Sequence, residues 1–280
     1  MNNILPIMNI RTEKQQIIDF LKNTFKKKHI QNVVIGLSGG IDSMTCLYLL
    51  SETLPSQNIF VLHLQYFKKN YDDLKKIVLS LGIPEKNFIV KSIKKPVNVL
   101  SNTTIFPDSV TSFIPASAPL KSALSESLSL VPPGKISLGN IMSRTRMIIL
   151  FDFAKKYNAL VCGTENRTEH YLGYFTRFGD AASDIEPIQH LYKTQVFQLA
   201  TKSGVPQKYI DQKPTAGLWK GQTDENEFGF TYEEADQVLY GYFEKKLNIS
   251  QLNKLGFQNA EKIIQKVKQN DFKHKVPYTL

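Results

Sequence analysis

The chain has 280 residues, 42% of them hydrophobic, so it can bury a full core in one large domain or two small ones. Lys and Arg total 35 against 25 Asp and Glu, and the resulting charge of +10 favours an anionic partner, either a nucleotide or a nucleic acid. The chain has only two cysteines, both in apolar segments, and its N-terminal apolar run is too short for a signal peptide. No apolar run approaches the ~20 residues of a membrane span. These features exclude a secreted or membrane protein and predict a cytoplasmic one.

The first 95 residues alternate between helical and strand-like patterns. Within an N-terminal segment, residues 1–30, apolar residues at helical spacing predict an amphipathic helix over 12–28. Strands are predicted at VVIGL (33–37), NIFVLHL (58–64), NFIVKSI (87–93) and ALVCGT (159–164), with helices at about 42–52, in YDDLKKIVLSLG (71–82) and in IMSRTRMIILFDFAKKYN (141–158). This alternation predicts a single α/β domain over residues 1–280, a Rossmann-like parallel sheet with helices on both faces.

Residues 96–138 interrupt the alternation. They contain six prolines, many Ser and Thr, and few charged residues, which predicts a long loop insertion. The sequence leaves open whether this insertion is a lid, a partner-binding arm or a tolerated addition.

The chain after residue 190 is mainly helical. Helices are predicted in KTQVFQLATKSG (193–204), TYEEADQVLYGYF (231–243) and NAEKIIQKVKQN (259–270), the last two in a helical C-terminal segment, residues 231–280. Residues 205–230 include the polar, glycine-punctuated stretch AGLWKGQTDENEFGF (216–230), which predicts a mobile loop carrying Asp224, Glu225 and Glu227.

The stretch VVIGLSGGIDSMTCL (33–47) joins the first predicted strand to a helix, at the sheet edge where α/β proteins bind ligands. Glycines allow close approach of the backbone and a helix N-terminus favours anions, so this turn predicts a phosphate site made by Ser38, Gly39, Gly40 and Ser43. A carboxylate at Asp42 suits such a site if Mg²⁺ lies between it and the phosphate. The alternative is a tight turn with Asp42 as a helix cap. The absence of G-x-G-x-x-G disfavours hydride transfer.

The segment SGGIDS (38–43) resembles the pyrophosphate-binding loop of the ATP pyrophosphatases, an adenine nucleotide alpha-hydrolase-like group that cleaves ATP between the α and β phosphates. Later segments resemble, in order and spacing, the motifs of ammonia-dependent NAD synthetases: GNIMSRTRM (139–147), GTENRTEHYLGYFTRFGDAASDIEPI (163–188), LYKTQVFQLA (191–200) and PTAGLWKGQTDENEFGFTYEEAD (214–236). The resemblance implies amidation of deamido-NAD to NAD with ATP and ammonia, through an adenylated intermediate, with release of AMP and pyrophosphate.

The resemblance also implies roles for individual residues. Catalytic roles fall to Asp42 and Glu169, as Mg²⁺ ligands, and to Lys193. The implied ATP-binding residues are Gly36, Leu37, Ser38, Gly39, Gly40, Ile41, Asp42, Ser43, Thr164, Lys193 and Thr215. Those implied for deamido-NAD are Arg144, Arg177, Asp184, His274 and Lys275. Relatives usually carry Lys at the Arg177 position, and the KHKVP segment lacks the family's final Arg.

Implied partners are ATP as co-substrate, Mg²⁺, deamido-NAD, ammonia and a second copy of the chain in a homodimer, with no nucleic acid and no membrane. The residues before Ser38 leave no room for a glutaminase domain, so free or externally supplied ammonia is expected. The loop with Asp224 and Glu225 would order over the substrates, and whether one of its carboxylates deprotonates ammonia is open.

Three alternatives remain. The first is amidation of nicotinate mononucleotide, because TAGLWKGQTDE (215–225) resembles a mononucleotide-preferring relative and VLHLQYF (61–67) departs from the usual second strand. The second is a tRNA-modifying ATP pyrophosphatase, suggested by the +10 charge although neither cysteine is suitably placed for thiolation. The third is a non-catalytic nucleotide-binding scaffold.

Overall fold

The computed structural model describes residues 3–104, 134–219 and 221–279. Within these residues a four-stranded parallel sheet has the order β3-β2-β1-β4, with β1 at Asn32–Gly36, β2 at Ile59–Gln65, β3 at Phe88–Ser92 and β4 at Ala159–Cys162. The predicted parallel sheet is confirmed. Because the chain places β2 and β3 on one side of β1 and β4 on the other, a crevice opens beyond the carboxyl ends of β1 and β4.

Helices occupy most of the remaining described chain. They are α1 (Ile10–Lys28), α2 (Ile41–Thr53), α3 (Asp72–Ser80), α4 (Lys94–Thr104), α5 (Lys135–Tyr157), α6 (Arg167–Leu172), α7 (Lys193–Ser203), α8 (Gln207–Ile210), α9 (Asp224–Phe228), α10 (Tyr232–Phe243), α11 (Ile249–Lys254) and α12 (Ala260–Asn270). None of these described helices is both long enough and apolar enough to cross a membrane.

The side chains of β1 alternate between the two faces of the sheet, and each face is covered by helices. Val33 and Ile35 join a buried cluster with α1, α2 and α7, to which Cys46 and Cys162 also belong. Val34 lies in a second cluster with residues of β2, α4 and α5. The prediction of helices on both faces and of core cysteines is therefore confirmed.

The C-terminal region is helical, as predicted, and has an apolar cluster of its own. Leu252, Ile263 and Ile264 pack there with Val238 and Leu239 of α10. The same helix contacts α6 and α7. The C-terminal helices thereby support the two helices that carry Glu169 and Lys193.

The predicted bounds of the loop at residues 96–138 are wrong at both ends, because α4 extends to Thr104 and α5 begins at Lys135. Pro96 is the third residue of α4, and proline is tolerated in the first turn of a helix. Val97 is fully buried against the sheet, which gives this helix an apolar anchor. The central part of the predicted insertion, residues 105–133, lies outside the described residues.

The predicted irregular loop over 216–230 contains the short helix α9. The Thr223 side chain accepts a hydrogen bond from the Asn226 N–H and so caps this helix. Phe228 is buried in the C-terminal cluster. A cap and one apolar contact are thus enough to order a segment whose composition is that of a loop.

Candidate active site

The loop between β1 and α2 is braced by its own serines. Ser38 Oγ lies 3.0 Å from Ser43 Oγ and accepts a hydrogen bond from the Gly40 N–H, while Ser43 Oγ donates to the Gly40 carbonyl. Gly39 has a φ of 87°, in the left-handed region where a side chain would be strained. No side chain caps α2, so N–H groups of its first turn remain free to bind an anion.

Three further residues of the predicted ATP site flank this loop. Gly36 ends β1, and the Leu37 N–H continues the strand pairing by donating to the Leu62 carbonyl at 2.9 Å. Leu37 and Ile41 have buried side chains that belong to the core. Only the backbone groups of these two residues are therefore available to bind a ligand.

Asp42 and Glu169 are far apart in sequence but meet at the carboxyl edge of the sheet. Each lies in the first turn of a helix, Asp42 in α2 and Glu169 in α6. Between them lies Lys193, whose Nζ donates to Asp42 Oδ2 at 2.6 Å and to Glu169 Oε1 at 3.0 Å. The Lys193 side chain is 2% exposed. The structure thus brings together the three residues predicted to be catalytic.

Asn166 holds both carboxylates in place and was missed by the sequence analysis. Its Nδ2 donates to Asp42 Oδ1 at 3.0 Å, and its side-chain oxygen accepts from the Glu169 N–H. The Glu169 carboxylate in turn accepts from the Asn166 N–H, which completes a capping box. The pattern N-x-x-E at 166–169 is a known sequence mark of a helix start and could have revealed α6.

The charges of this group are coupled. Burial raises the pKa of Glu169 to about 8; Lys193 opposes this rise, while Asp42 adds to it. Burial acts to lower the pKa of Lys193, but the nearby charges of Asp42 and Glu169 outweigh it and raise that pKa. One buried ammonium therefore lies between two carboxylates.

Asp224 was predicted to lie on a mobile loop but is buried next to this group. Its carboxylate accepts hydrogen bonds from Tyr174 Oη at 3.1 Å, Tyr232 Oη at 2.8 Å and the Ala216 N–H at 3.1 Å. Lys193 Nζ lies 5.1 Å from the centre of the Tyr232 ring. Burial raises the pKa of Asp224. The Asp224 carboxylate thus holds the Ala216 backbone, and the Asp224 N–H donates to the Pro214 carbonyl at 3.0 Å.

The other residues predicted for phosphate binding or for the loop lie nearby. Thr164 is half-buried in the turn after β4. Thr215 is exposed, and its Oγ1 accepts from the Gly217 N–H at 3.0 Å. Glu225 accepts from the Tyr232 N–H at 3.0 Å, so this residue too is engaged with α10.

Three of the residues predicted for deamido-NAD form one polar surface. Arg144 is exposed on α5 and its Nε donates to the Arg177 carbonyl at 3.2 Å. The Arg177 guanidinium lies 5.1 Å from the centre of the Phe272 ring. His274 Nε2 is 2.7 Å from the His170 carbonyl, which ties the C-terminal segment to α6.

The two remaining residues predicted to bind deamido-NAD, Asp184 and Lys275, are both exposed. Asp184 accepts from the Val161 N–H at 2.8 Å, because the 184–186 segment passes beside β4, an edge strand with free N–H groups. Lys275 is exposed, whereas Lys273 points inward and donates to the Gly173 and Phe175 carbonyls at 2.6 and 3.1 Å.

Two buried acids near the site were not identified from the sequence. Asp236 is fully buried on α10 and accepts hydrogen bonds from the Thr168 hydroxyl and from the N–H and hydroxyl of Thr194. Burial raises the pKa of Asp236 to about 6. Its position on the apolar side of a predicted helix was the only feature of the sequence that indicated burial of Asp236.

Glu186 is the second of these acids, and it braces the turn after β4. Its carboxylate accepts from Ser183 Oγ at 2.7 Å and from the Glu165 N–H at 3.0 Å. Burial raises the pKa of Glu186 to about 8. A Cβ at Gly163 would lie 1.7 Å from Glu186 Oε1, so this close packing requires glycine.

Comparison with known proteins gives a consistent result over nearly the whole chain. A protein-family model described as NAD synthase matches residues 13–277. The NH(3)-dependent NAD(+) synthetase of Fusobacterium nucleatum is 36% identical over 272 residues, which cover 96% of this chain and 95% of that protein. The corresponding protein of Thermococcus kodakarensis is 37% identical, with 96% and 97% covered.

Solved structures are similar as well. The NMN synthetase from Francisella tularensis has a TM-score of 0.74 and 31% identity, with 98% of this chain and 99% of that chain covered. The NH3-dependent NAD synthetase from Campylobacter jejuni has a TM-score of 0.69 and 24% identity, with 98% and 100% covered, and it supports the shared fold.

Proposed function

Since this chain belongs to the NAD synthase family, we propose that it is a ligase that uses ATP and ammonia to convert deamido-NAD to NAD. The observation that carries the proposal is the meeting of Asp42, Glu169 and Lys193 beside the loop at 38–43. In a chain similar to NAD synthetases over nearly its full length, this arrangement is suited to bind the phosphates of ATP.

The reaction has two steps. A carboxylate oxygen of the pyridine ring attacks the α-phosphorus of ATP, and the bond to the bridging oxygen breaks with its electron pair leaving on pyrophosphate. Ammonia then attacks the acyl carbon, the bond to AMP breaks, and the nitrogen loses a proton. The protein holds the two reactants in line and balances the charge of the leaving pyrophosphate.

The loop at 38–43 and the start of α2 would bind the pyrophosphate through backbone N–H groups. Lys193, Thr164 and Thr215 would contribute further contacts to the ATP phosphates. The braced conformation of the loop, with Ser38 and Ser43 bonded to each other and to Gly40, supports this role because a preorganised site loses little entropy on binding.

Asp42 and Glu169 would hold Mg²⁺. No group of three or more His, Cys, Asp or Glu side chains suited to a metal occurs within residues 3–104, 134–219 and 221–279, and ATP and water would supply further oxygen ligands. Two carboxylates together with substrate phosphates are a typical environment for Mg²⁺. When bound, the ion would neutralise negative charge on the departing pyrophosphate.

Deamido-NAD would bind across the interface of a homodimer. Arg144 and Arg177 supply cations, with Asp184, His274 and Lys275 as the further predicted contacts. Ile148 follows Arg144 by one helical turn on α5 and is 57% exposed, and Ile136 on the same helix is 41% exposed. Exposed isoleucines on the helix that carries Arg144 favour contact with a second copy of the chain over solvent.

Nicotinate mononucleotide is the second candidate substrate. The structural similarity to the Francisella tularensis NMN synthetase, at 31% identity, supports it. Both acids would undergo the same chemistry at the same ATP site, because they share the reacting pyridine carboxylate.

A pyrophosphate-release assay tests both possibilities. The protein is supplied with ATP, Mg²⁺, ammonium and either deamido-NAD or nicotinate mononucleotide, and the amide product is identified by mass. We expect the higher kcat/KM with deamido-NAD. A higher value with the mononucleotide would replace the substrate assignment, and no amide from either acid would refute the proposed function.

A further inference from the structure

Arg146 extends from α5 to the carboxyl end of β2. Its Nε donates at 3.2 Å to the carbonyl of Leu64, which is the last but one residue of that strand. Burial acts to lower the pKa of Arg146, with Asp180 opposing that shift. The Arg146 side chain is half-buried, at a point where the sheet faces its ligand crevice.

This half-buried cation forms no ion pair with any carboxylate among the described residues. Asp180, whose charge raises the pKa of Arg146, accepts hydrogen bonds from the Ser143 hydroxyl and the Thr176 N–H. By contrast, Arg167 is paired with Glu244. A half-buried guanidinium without a protein counter-ion is a strong binder of an oxyanion, because it offers several N–H donors in a fixed fork.

The location indicates which oxyanion it would meet. β2 is hydrogen-bonded to β1, so the end of β2 lies about 4.8 Å from the strand that leads into the loop at 38–43. His63 Nδ1 lies 2.6 Å from the Leu37 carbonyl, which connects the two strand ends directly. Glu169 and its partner Lys193 lie on the opposite side of that loop, after β4.

We propose that Arg146 binds a non-bridging oxygen of the α-phosphate of ATP, and of the adenylate formed from it, at the carboxyl end of β2. This inference rests on the proposed function and adds a catalytic residue to it. With pyrophosphate at the 38–43 loop, the covalently attached AMP unit extends toward β2. There Arg146 has N–H groups that bond to no partner among the described residues.

In this role Arg146 acts on both bond changes at the α-phosphorus. The new bond to the pyridine carboxylate forms as the bond to the bridging oxygen breaks, and the electron pair departs on pyrophosphate. The non-bridging oxygens stay negative throughout, and the guanidinium stabilises them while it neither gains nor loses a proton.

The test compares Arg146→Ala, Arg146→Lys and Arg11→Ala, the last removing an exposed arginine of α1 as a matched control. Thermal melting establishes folding of each. Calorimetry then measures binding of AMP and of adenosine, and pyrophosphate release gives kcat/KM with and without millimolar guanidinium. If Arg146→Ala does not fold, Arg146→Lys is compared with the wild type in the same binding and activity assays, because lysine keeps the positive charge but lacks the planar guanidinium.

We expect Arg146→Ala to weaken AMP binding and to lower kcat/KM by about tenfold to a hundredfold, with adenosine binding unchanged and partial rescue by guanidinium. The control should match the wild type. Equal loss of AMP and adenosine binding, or weaker binding of the pyridine acid alone, would overturn the phosphate assignment. A wild type that makes no amide would instead refute the proposed function.

Discussion

At the scale of single residues, the balance of charge among Asp42, Glu169 and Lys193 is central to the site. Asp42→Asn or Glu169→Gln replaces one carboxylate by an amide with little change of shape. We expect at least a hundredfold loss of pyrophosphate release with an almost unchanged melting temperature, because the predicted Mg²⁺ ligand is lost. Glu233→Gln, at an exposed position on α10, is the control. Full turnover by either variant would exclude the metal-binding role.

Glu186 allows a prediction about stability and pH. Its pKa is about 8 in the folded protein and near 4.5 when unfolded, so the folded state binds the proton more tightly. The resulting stabilisation is complete below pH 4.5 and is lost as the pH rises to about 8, by at most about 1.4 kcal/mol per pH unit.

Glu186→Gln should therefore flatten the fall of the unfolding free energy between pH 5 and 8, because the amide mimics the protonated acid. Denaturant unfolding at several pH values measures this effect, with exposed Glu261→Gln as the control. Equal pH dependence in the variant and the wild type would contradict a raised pKa at Glu186.

At the scale of elements, α10 joins the helices that carry the site. Asp236 accepts from Thr168 and Thr194, which are chain neighbours of Glu169 and Lys193, and the Lys193 N–H donates to Thr168 Oγ1 at 2.9 Å. The relative placement of α6 and α7 therefore depends on one buried carboxylate.

Asp236→Ala should destabilise the protein by about 3 kcal/mol, because it leaves three buried donors unpaired. We also expect a lower kcat, since Glu169 and Lys193 lose their common support. The control is Asp211→Ala at an exposed position. Denaturant unfolding and the pyrophosphate assay measure the two effects, and a variant with wild-type stability would refute the linking role.

Helices and strands that contain several regularly spaced apolar residues were the easiest to predict. Residues 12–28 and 33–37 carry core side chains at regular spacing, and the observed α1 and β1 match them closely. The short helices α6 and α9 were missed because they depend on capping by Asn166 and Thr223 and on tertiary contacts, which outweigh local propensity.

At the scale of the whole molecule, the exposed isoleucine Ile148 of α5 leads to a prediction about assembly. Ile148→Glu should shift the mass measured by light scattering from a dimer to the 31.9 kDa of one chain, and should lower kcat/KM because Arg144 lies one turn away. Leu79→Glu, at a 40% exposed position on α3, is the control. A monomeric wild type, or a variant that stays dimeric, would argue against this interface.

The sequence by itself predicted the α/β architecture, because strand and helix periodicity are local properties of the chain. The resemblance of its motifs indicated the family and implied the three residues of the central charged group. The sequence also identified Asp42 as the unusual carboxylate in a phosphate loop. What it could not show was that Lys193 bridges Asp42 and Glu169, that Asp224 and Asp236 are buried, or that Glu186 and Arg146 are half-buried. Those features were decided by the tertiary structure, since burial and charge pairing arise only when distant segments are packed together.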